Sequence, residues 1–120
     1  MLSMFSRSPK PAALDARAAI PLVAQGALTL IDIRDPAEIA ASGKAKGALA
    51  IPLSVIRMKA DPRSPECHPD LKTDRPVALY CASGARANMA AQMLREMGYG
   101  EVHNLGGLMH WQMAGGEVIR

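Results

Sequence analysis

The sequence is poor in aromatic residues and cysteine, and it lacks long apolar runs. Aromatic residues make up 3% of the 120 positions, and eight methionines partly replace them as core fillers. Two cysteines, Cys67 and Cys81, are too few for a disulfide framework. No uncharged apolar run approaches the ~18 residues of a membrane span, and no internal repeat is visible. These absences argue against a disulfide-stapled scaffold, a repeat protein and a helical membrane protein.

The net charge is small as well. Fourteen Lys and Arg residues against eleven Asp and Glu residues give a net charge of +3. This balance suits an anionic small molecule but is too small to indicate nucleic-acid binding. A length of 120 residues, with 49% hydrophobic and 21% charged positions, is typical of one globular domain.

Residues 1–11 contain serine, proline, arginine and lysine but no acidic residue. We expect a flexible N-terminal tail over residues 1–11 and a folded domain over residues 12–120. The tail lacks the apolar core of a secretory signal. It is also short for a transit peptide and has little apolar periodicity. We therefore expect a cytoplasmic location.

The most informative stretch is Val77–Arg86. Val77–Tyr80 is a short apolar run between Pro76 and small residues, which predicts a buried strand. From Ala85 onward the apolar residues recur at helical spacing as far as Gly98. Cys81 is therefore predicted to lie where a strand turns into a helix, at the carboxyl edge of a sheet, where ligands bind in open α/β folds.

The residues around Cys81 favour a reactive thiolate. Small side chains leave successive backbone N–H groups free to point into one concavity, and such a concavity attracts anions. The helix that follows adds the positive end of its dipole, and Arg86 adds a permanent positive charge. A thiol in these surroundings ionises readily; the alternative is a buried structural cysteine. The predicted N–H donors belong to Ala82, Ser83, Gly84, Ala85 and Arg86.

Four blocks of the sequence resemble the rhodanese family, which moves sulfur through a cysteine persulfide. Cys81–Arg86 resembles its active-site loop, and Leu30–Asp35 resembles its strand ending in Asp-x-Arg. Gly47–Leu53 resembles the Gly-Ala-x-x-Ile-Pro segment, and Leu105–Gly115 the Gly-Gly-x-x-x-Trp-x-x-Ala-Gly ending. The blocks follow family order and span about residues 14–119.

Alternating strands and helices predict a doubly wound α/β domain with a mostly parallel sheet. The resemblance implies the rhodanese version, with about five strands and helices on both faces. Asp35 is predicted to cap a helix that begins at Pro36 and ends near Gly43. The helix after Asp15 contains Pro21, for which we expect a kink or two short turns.

The resemblance implies a sulfurtransferase without a metal or organic cofactor. Cys81 would take the outer sulfur of a small anionic donor such as thiosulfate, and Arg86 would neutralise the donor's charge. Cyanide, a small thiol or a sulfur-accepting protein would then remove that sulfur. Asp32 and Arg34 are expected to support the loop structurally, and a direct substrate role for Arg34 is the lesser alternative.

Two other functions stay open. Phosphatases and arsenate reductases also use a cysteine and an arginine around an anion, but they place five residues between the two. Here four intervene, which makes a tighter ring suited to a single sulfur. The other alternative is a persulfide carrier without turnover, or a protein-interaction module.

Several other residues have less specific roles. Lys44 stands where the family usually has histidine, which puts a local hydrogen bond in doubt. Cys67 is interpreted as a spare thiol in the polar loop of residues 61–76, with a resolving role toward Cys81 as the sharper alternative. Trp111 is expected to anchor the core through a satisfied N–H. His103, His110 and the methionines of the last two helices are interpreted as structural, with Met89, Met93, Met97, Met109 and Met113 packing in the core.

Overall fold

The structure is a computed structural model that describes residues 13–120. The predicted tail, residues 1–11, lies outside the described residues. Within them, helices and strands alternate as the sequence predicts, except that the two short strands Lys44–Ala45 and Leu49–Ala50 follow each other directly. The helices are α1 (Ala16–Ala24), α2 (Pro36–Ser42), α3 (Ile56–Ala60), α4 (Ala85–Glu96) and α5 (Leu108–Met113), and a short 3-10 helix (Leu53–Val55) precedes α3. The strands are β1 (Thr29–Asp32), β2 (Lys44–Ala45), β3 (Leu49–Ala50), β4 (Val77–Cys81), β5 (Val102–Gly107) and β6 (Val118–Ile119).

The main sheet is parallel, with the strand order β3-β1-β4-β5. β4 lies inside the sheet, between β1 and β5, and all five of its residues are buried. Because the strands are parallel, the carboxyl ends of β1, β4 and β5 meet at one edge. Cys81, the last residue of β4, lies at that edge.

Helices cover both faces of the sheet, so the doubly wound α/β fold is confirmed. Successive residues of a strand point to opposite faces. In β4, Val77, Leu79 and Cys81 join a core formed with α3 and α4. Ala78 and Tyr80 join a second core, formed with α1 and α5.

The number of strands in the parallel sheet differs from the expected five. The parallel sheet has four strands in the described residues, and β2 pairs with β6 in a separate antiparallel sheet. Lys44 belongs to β2, and its ammonium donates to the carbonyl of Ala48 at 2.9 Å. The lysine that replaces the family histidine thus makes a local backbone contact of its own.

α1 is a single helix that includes Pro21, rather than two short turns. Asp15 caps it as predicted, because its carboxylate accepts the N–H of Ala18 at 2.9 Å. Proline removes its own N–H donor and crowds the carbonyl four residues earlier, but the other hydrogen bonds of the helix do not depend on it. The turns on either side keep the element continuous.

The methionine prediction is correct only in part. Met93 and Met97 pack against the core, but Met89, Met109 and Met113 are exposed. Residues four apart on an α-helix differ by about 40° in direction around its axis. Each successive methionine therefore points in a different direction, and only Met93 and Met97 reach the core. The buried side of α4 consists instead of small residues and one leucine: Ala87, Ala90, Ala91 and Leu94.

The helices of the described part are short. The longest, α4, has twelve residues. None of the helices in residues 13–120 is long and apolar enough to cross a membrane.

Candidate active site

Cys81 lies at the junction of β4 and α4, as the sequence predicts. The residue is 1% exposed, whereas Ala82 and Ser83 beyond it are exposed. Gly84 caps α4 with a φ of +106°, a left-handed conformation that favours glycine. The chain therefore turns sharply over the sulfur and enters the helix at Ala85.

The backbone amides of Ser83, Gly84, Arg86 and Ala87 act on the sulfur and form what we call the amide ring. The N–H of Gly84 donates to the Cys81 Sγ at 2.9 Å. Burial by itself raises the pKa of the Cys81 thiol, but hydrogen bonds from the amides of Ala87, Gly84, Ser83 and Arg86 outweigh it. The pKa of Cys81 is therefore below that of an ordinary thiol, which favours the nucleophilic thiolate.

Arg86 lies in the first turn of α4 and forms a two-point ion pair with Glu38 of α2. Its two terminal nitrogens lie 2.7 Å and 2.9 Å from the two carboxylate oxygens of Glu38. Both side chains are about one-third exposed. The hydrogen bond to Glu38 raises the pKa of Arg86, and the nearby Cys81 charge raises that pKa further. The guanidinium thus lies near enough for its charge to interact with that of Cys81, and Glu38 compensates part of this charge.

Glu38 is held in place by the start of its own helix. It occupies the third position of α2, where its carboxylate accepts the N–H of Asp35 at 3.0 Å. The hydrogen bonds from Arg86 and from the Asp35 backbone lower the pKa of Glu38 to about 2. The carboxylate is therefore ionised at neutral pH.

Asp32 and Arg34 form a buried ion pair at the end of β1. Asp32 is fully buried and Arg34 is 4% exposed, with 2.8 Å between Arg34 Nη2 and Asp32 Oδ2. Arg34 also donates to the Ser42 hydroxyl and the Gly43 carbonyl at the end of α2. With its donors directed inward, Arg34 ties α2 to the sheet, as expected of a structural residue.

Tyr80 connects this ion pair to the cysteine. Its hydroxyl donates to Asp32 Oδ2 at 2.6 Å and accepts the N–H of Ala45 at 2.9 Å. Burial, followed by the hydrogen bond to Asp32, raises the pKa of Tyr80 well above that of a free tyrosine. Because Tyr80 directly precedes Cys81, this network fixes the strand end that presents the sulfur.

The end of β5 supports the loop from the other side. Asn104 donates to the Gly84 carbonyl at 2.9 Å and accepts the N–H of Gly106 at 2.8 Å. A Cβ at Gly107 would collide with the carbonyl oxygen of Ala82. Glycine at position 107 therefore allows β5 to lie directly against the loop.

Cys67 lies away from this edge. It is half-buried and borders a cavity of about 440 Å³ with His68 and Thr73. The Thr73 carbonyl accepts the N–H of Gly100, just before β5 begins. Cys67 therefore lies toward the amino ends of β4 and β5, while Cys81 ends β4. This placement does not support a resolving role for Cys67.

The remaining predicted residues make local contacts. Trp111 is 3% exposed and its indole N–H donates to the Glu117 carbonyl at 2.8 Å, which confirms the predicted core anchor. His103 contacts Glu101 at 2.7 Å. His110 accepts the N–H of Gly107 through Nδ1 at 2.9 Å, which closes the first turn of α5.

Three residues that contribute to the site are not identified by the sequence analysis. The Asp-x-x-Glu spacing of Asp35 and Glu38 signals a helix start, but nothing in it signals the contact with Arg86. Asn104 belongs to no motif, and Leu105 separates it from the glycine pair that follows. Ala87 contributes an amide one residue beyond the predicted donors.

Comparison with known families decides the assignment. The family model of the rhodanese-like domain matches residues 13–114. This chain is a member of the rhodanese-like family. The match spans the whole main sheet and every element that contacts Cys81.

Relatives with known names agree with membership of this sulfurtransferase family. A sulfurtransferase of Allochromatium vinosum is 38% identical over 91 residues, which cover 75% of this chain and 77% of that protein. The thiosulfate sulfurtransferase PspE of Escherichia coli is 35% identical over 78 residues, which cover 65% and 68%. A solved structure from Rhodopseudomonas palustris, described as a protein of unknown function and possible tyrosine phosphatase, has a TM-score of 0.77. It is 35% identical, and the match covers 89% of this chain and 83% of that one.

Proposed function

We propose that this rhodanese-like chain transfers sulfane sulfur from an anionic, thiosulfate-like donor through a persulfide on Cys81. The observation that carries the proposal is the amide ring. It lowers the pKa of Cys81 at the start of the short loop between β4 and α4. The names of the sulfurtransferase relatives support the same reaction class.

The first step is attack by the Cys81 thiolate on the outer sulfur of the donor. A bond forms between Sγ and that sulfur, and the sulfur–sulfur bond of the donor breaks. Its electron pair leaves with sulfite, and Cys81 carries a persulfide anion. The amides that favour the thiolate also stabilise this anion, because its charge lies in the same ring.

In the second step an acceptor takes the outer sulfur and restores the thiolate. Cyanide leaves as thiocyanate, and a thiol leaves as a persulfide; a protein thiol is an acceptor of the same kind. This is covalent catalysis, in which one difficult transfer is divided into two easier ones. A single terminal sulfur suits the site because Cys81 is only 1% exposed.

The phosphatase alternative is kept as the second candidate because of the named resemblance of one solved structure. Against it stands the loop length, since only four residues separate Cys81 from Arg86. The two activities are separated by parallel assays. With thiosulfate and cyanide we expect thiocyanate, and with an aryl phosphate we expect no phosphate; the reverse result would favour the phosphatase.

Replacing Arg86 by alanine is expected to slow the reaction of Cys81 with thiosulfate by about tenfold to a hundredfold. The substitution removes the positive charge of the loop and leaves the Glu38 carboxylate to repel the dianion. The second-order rate of sulfite release measures the effect. Arg57→Ala is the matched control, because Arg57 is 64% exposed and its ion pair with Glu96 measures 3.8 Å. Equal rates for the two variants would remove Arg86 from the mechanism.

A further inference from the structure

The ion pair between Arg86 and Glu38 bears on which donors the site accepts. Arg86 is the cationic side chain of the loop itself, and the charge of Cys81 raises its pKa. Both of its terminal nitrogens are nevertheless directed at one carboxylate, at 2.7 Å and 2.9 Å. A donor that approaches the sulfur therefore meets a nearly neutral pair rather than a free guanidinium.

The other nearby arginine does not replace this charge. Arg34 is 4% exposed and directs its donors to Asp32, Ser42 and Gly43. Glu38, in contrast, is fixed at the start of α2 by the Asp35 N–H, so it is held ready for Arg86 independently of any donor. The start of α2 thus fixes the carboxylate that neutralises the charge of Arg86.

We propose that Glu38 is a specificity-determining positioning residue. By holding Arg86 in a two-point ion pair, it lowers the preference of the site for a doubly charged donor relative to a singly charged one. The proposal rests on the proposed function, because it concerns the donor that delivers sulfur to Cys81. It assigns organic persulfides and thiosulfonates, which carry one negative charge, to the favoured class of donor.

The test compares two donors that present the same terminal sulfur. Thiosulfate carries two negative charges and releases sulfite, and benzenethiosulfonate carries one and releases benzenesulfinate. In both cases the Sγ–sulfur bond forms as the donor's sulfur–sulfur bond breaks, and the electron pair leaves with the released anion. The readout is the ratio of the two second-order rates of Cys81 sulfuration, thiosulfate over benzenethiosulfonate.

In Glu38→Gln this ratio is expected to rise about tenfold over the wild type, since the unpaired guanidinium attracts a dianion more strongly than a monoanion. The glutamine oxygen still accepts the Asp35 N–H, so the start of α2 is kept. The rise is expected to shrink as salt is added, because salt screens partly exposed charges. A smaller folded fraction lowers both rates by the same factor, so the ratio still reports the donor preference of the folded variant.

Glu96→Gln is the matched control, since it makes the same change of net charge at the far end of α4, where Glu96 is 70% exposed. Its ratio is expected to stay within about twofold of the wild type. Glu38→Ala carries the same expectation as Glu38→Gln, because the ratio depends on the charge. An unchanged ratio in both Glu38 variants, with the wild type active on both donors, would overturn this inference alone. Absence of sulfuration by either donor in the wild type would instead overturn the proposed function.

Discussion

Replacing Cys81 by serine is expected to abolish sulfur transfer, with a loss of at least about a thousandfold in turnover of thiosulfate. The hydroxyl that takes the place of the thiol stays protonated at neutral pH, and an oxygen cannot carry a persulfide. The amide ring that lowers the pKa of Cys81 then has no anion to stabilise. The measurement is the steady-state rate of thiocyanate formation from thiosulfate and cyanide.

Cys67→Ser is the matched control for this experiment. Cys67 is half-buried in the loop at the amino ends of the strands, away from the amide ring. The control variant is expected to retain the wild-type rate within about twofold, as surface substitutions usually do. Full activity in Cys81→Ser, or a loss of equal size in Cys67→Ser, would contradict the assignment of the nucleophile.

Replacing Asp32 by alanine is expected to lower the free energy of unfolding by about 3–5 kcal/mol, the usual cost of removing one partner of a buried ion pair. Arg34 is 4% exposed, so its guanidinium would be left buried without the carboxylate that raises its pKa. The Tyr80 hydroxyl would lose the acceptor that lies 2.6 Å away. Urea denaturation measures the loss.

Asp61→Ala provides the contrast for Asp32→Ala. Asp61 also pairs with an arginine two residues later, at 3.1 Å, but Arg63 is 87% exposed and remains hydrated without its partner. We expect a far smaller loss of stability, because exposed ion pairs contribute little. Similar losses in the free energy of unfolding would contradict the role of the Asp32 network as the buried support of the loop.

The position of Cys81 could be predicted because it depends on local signals. A short apolar run changes to helical spacing within a few residues, and the small residues between them leave room for a tight turn. The same holds for the start of α2, where Asp35 and Pro36 stand together. Alternation of such elements was enough to predict the doubly wound fold.

The partners of the site residues could not be predicted, because they are brought together by the fold. Glu38 and Arg86 are 48 positions apart, and Asn104 lies 20 positions from the Gly84 carbonyl it holds. The β2–β6 pair joins Lys44 to Ile119, between two-residue strands too short for a recognisable pattern. The burial predicted for Met89 is wrong for a related reason. Helical spacing shows which residues share one side of a helix, but not which side faces the sheet.

The resemblance added what local signals lack. It implies a structural role for Asp32 and Arg34, and their burial and inward hydrogen bonds agree with that role. It did not anticipate that Arg86 is compensated by Glu38. The proposed donor preference therefore depends on the ion pair and not on the loop sequence alone.

The most direct test is the intact mass of the wild-type chain after exposure to thiosulfate at neutral pH. We predict a gain of the mass of one sulfur atom, located on the peptide that contains Cys81 and lost when cyanide is added. An unchanged mass, or sulfur uptake confined to Cys67, would contradict the claim that the amide ring holds a thiolate ready to accept sulfur.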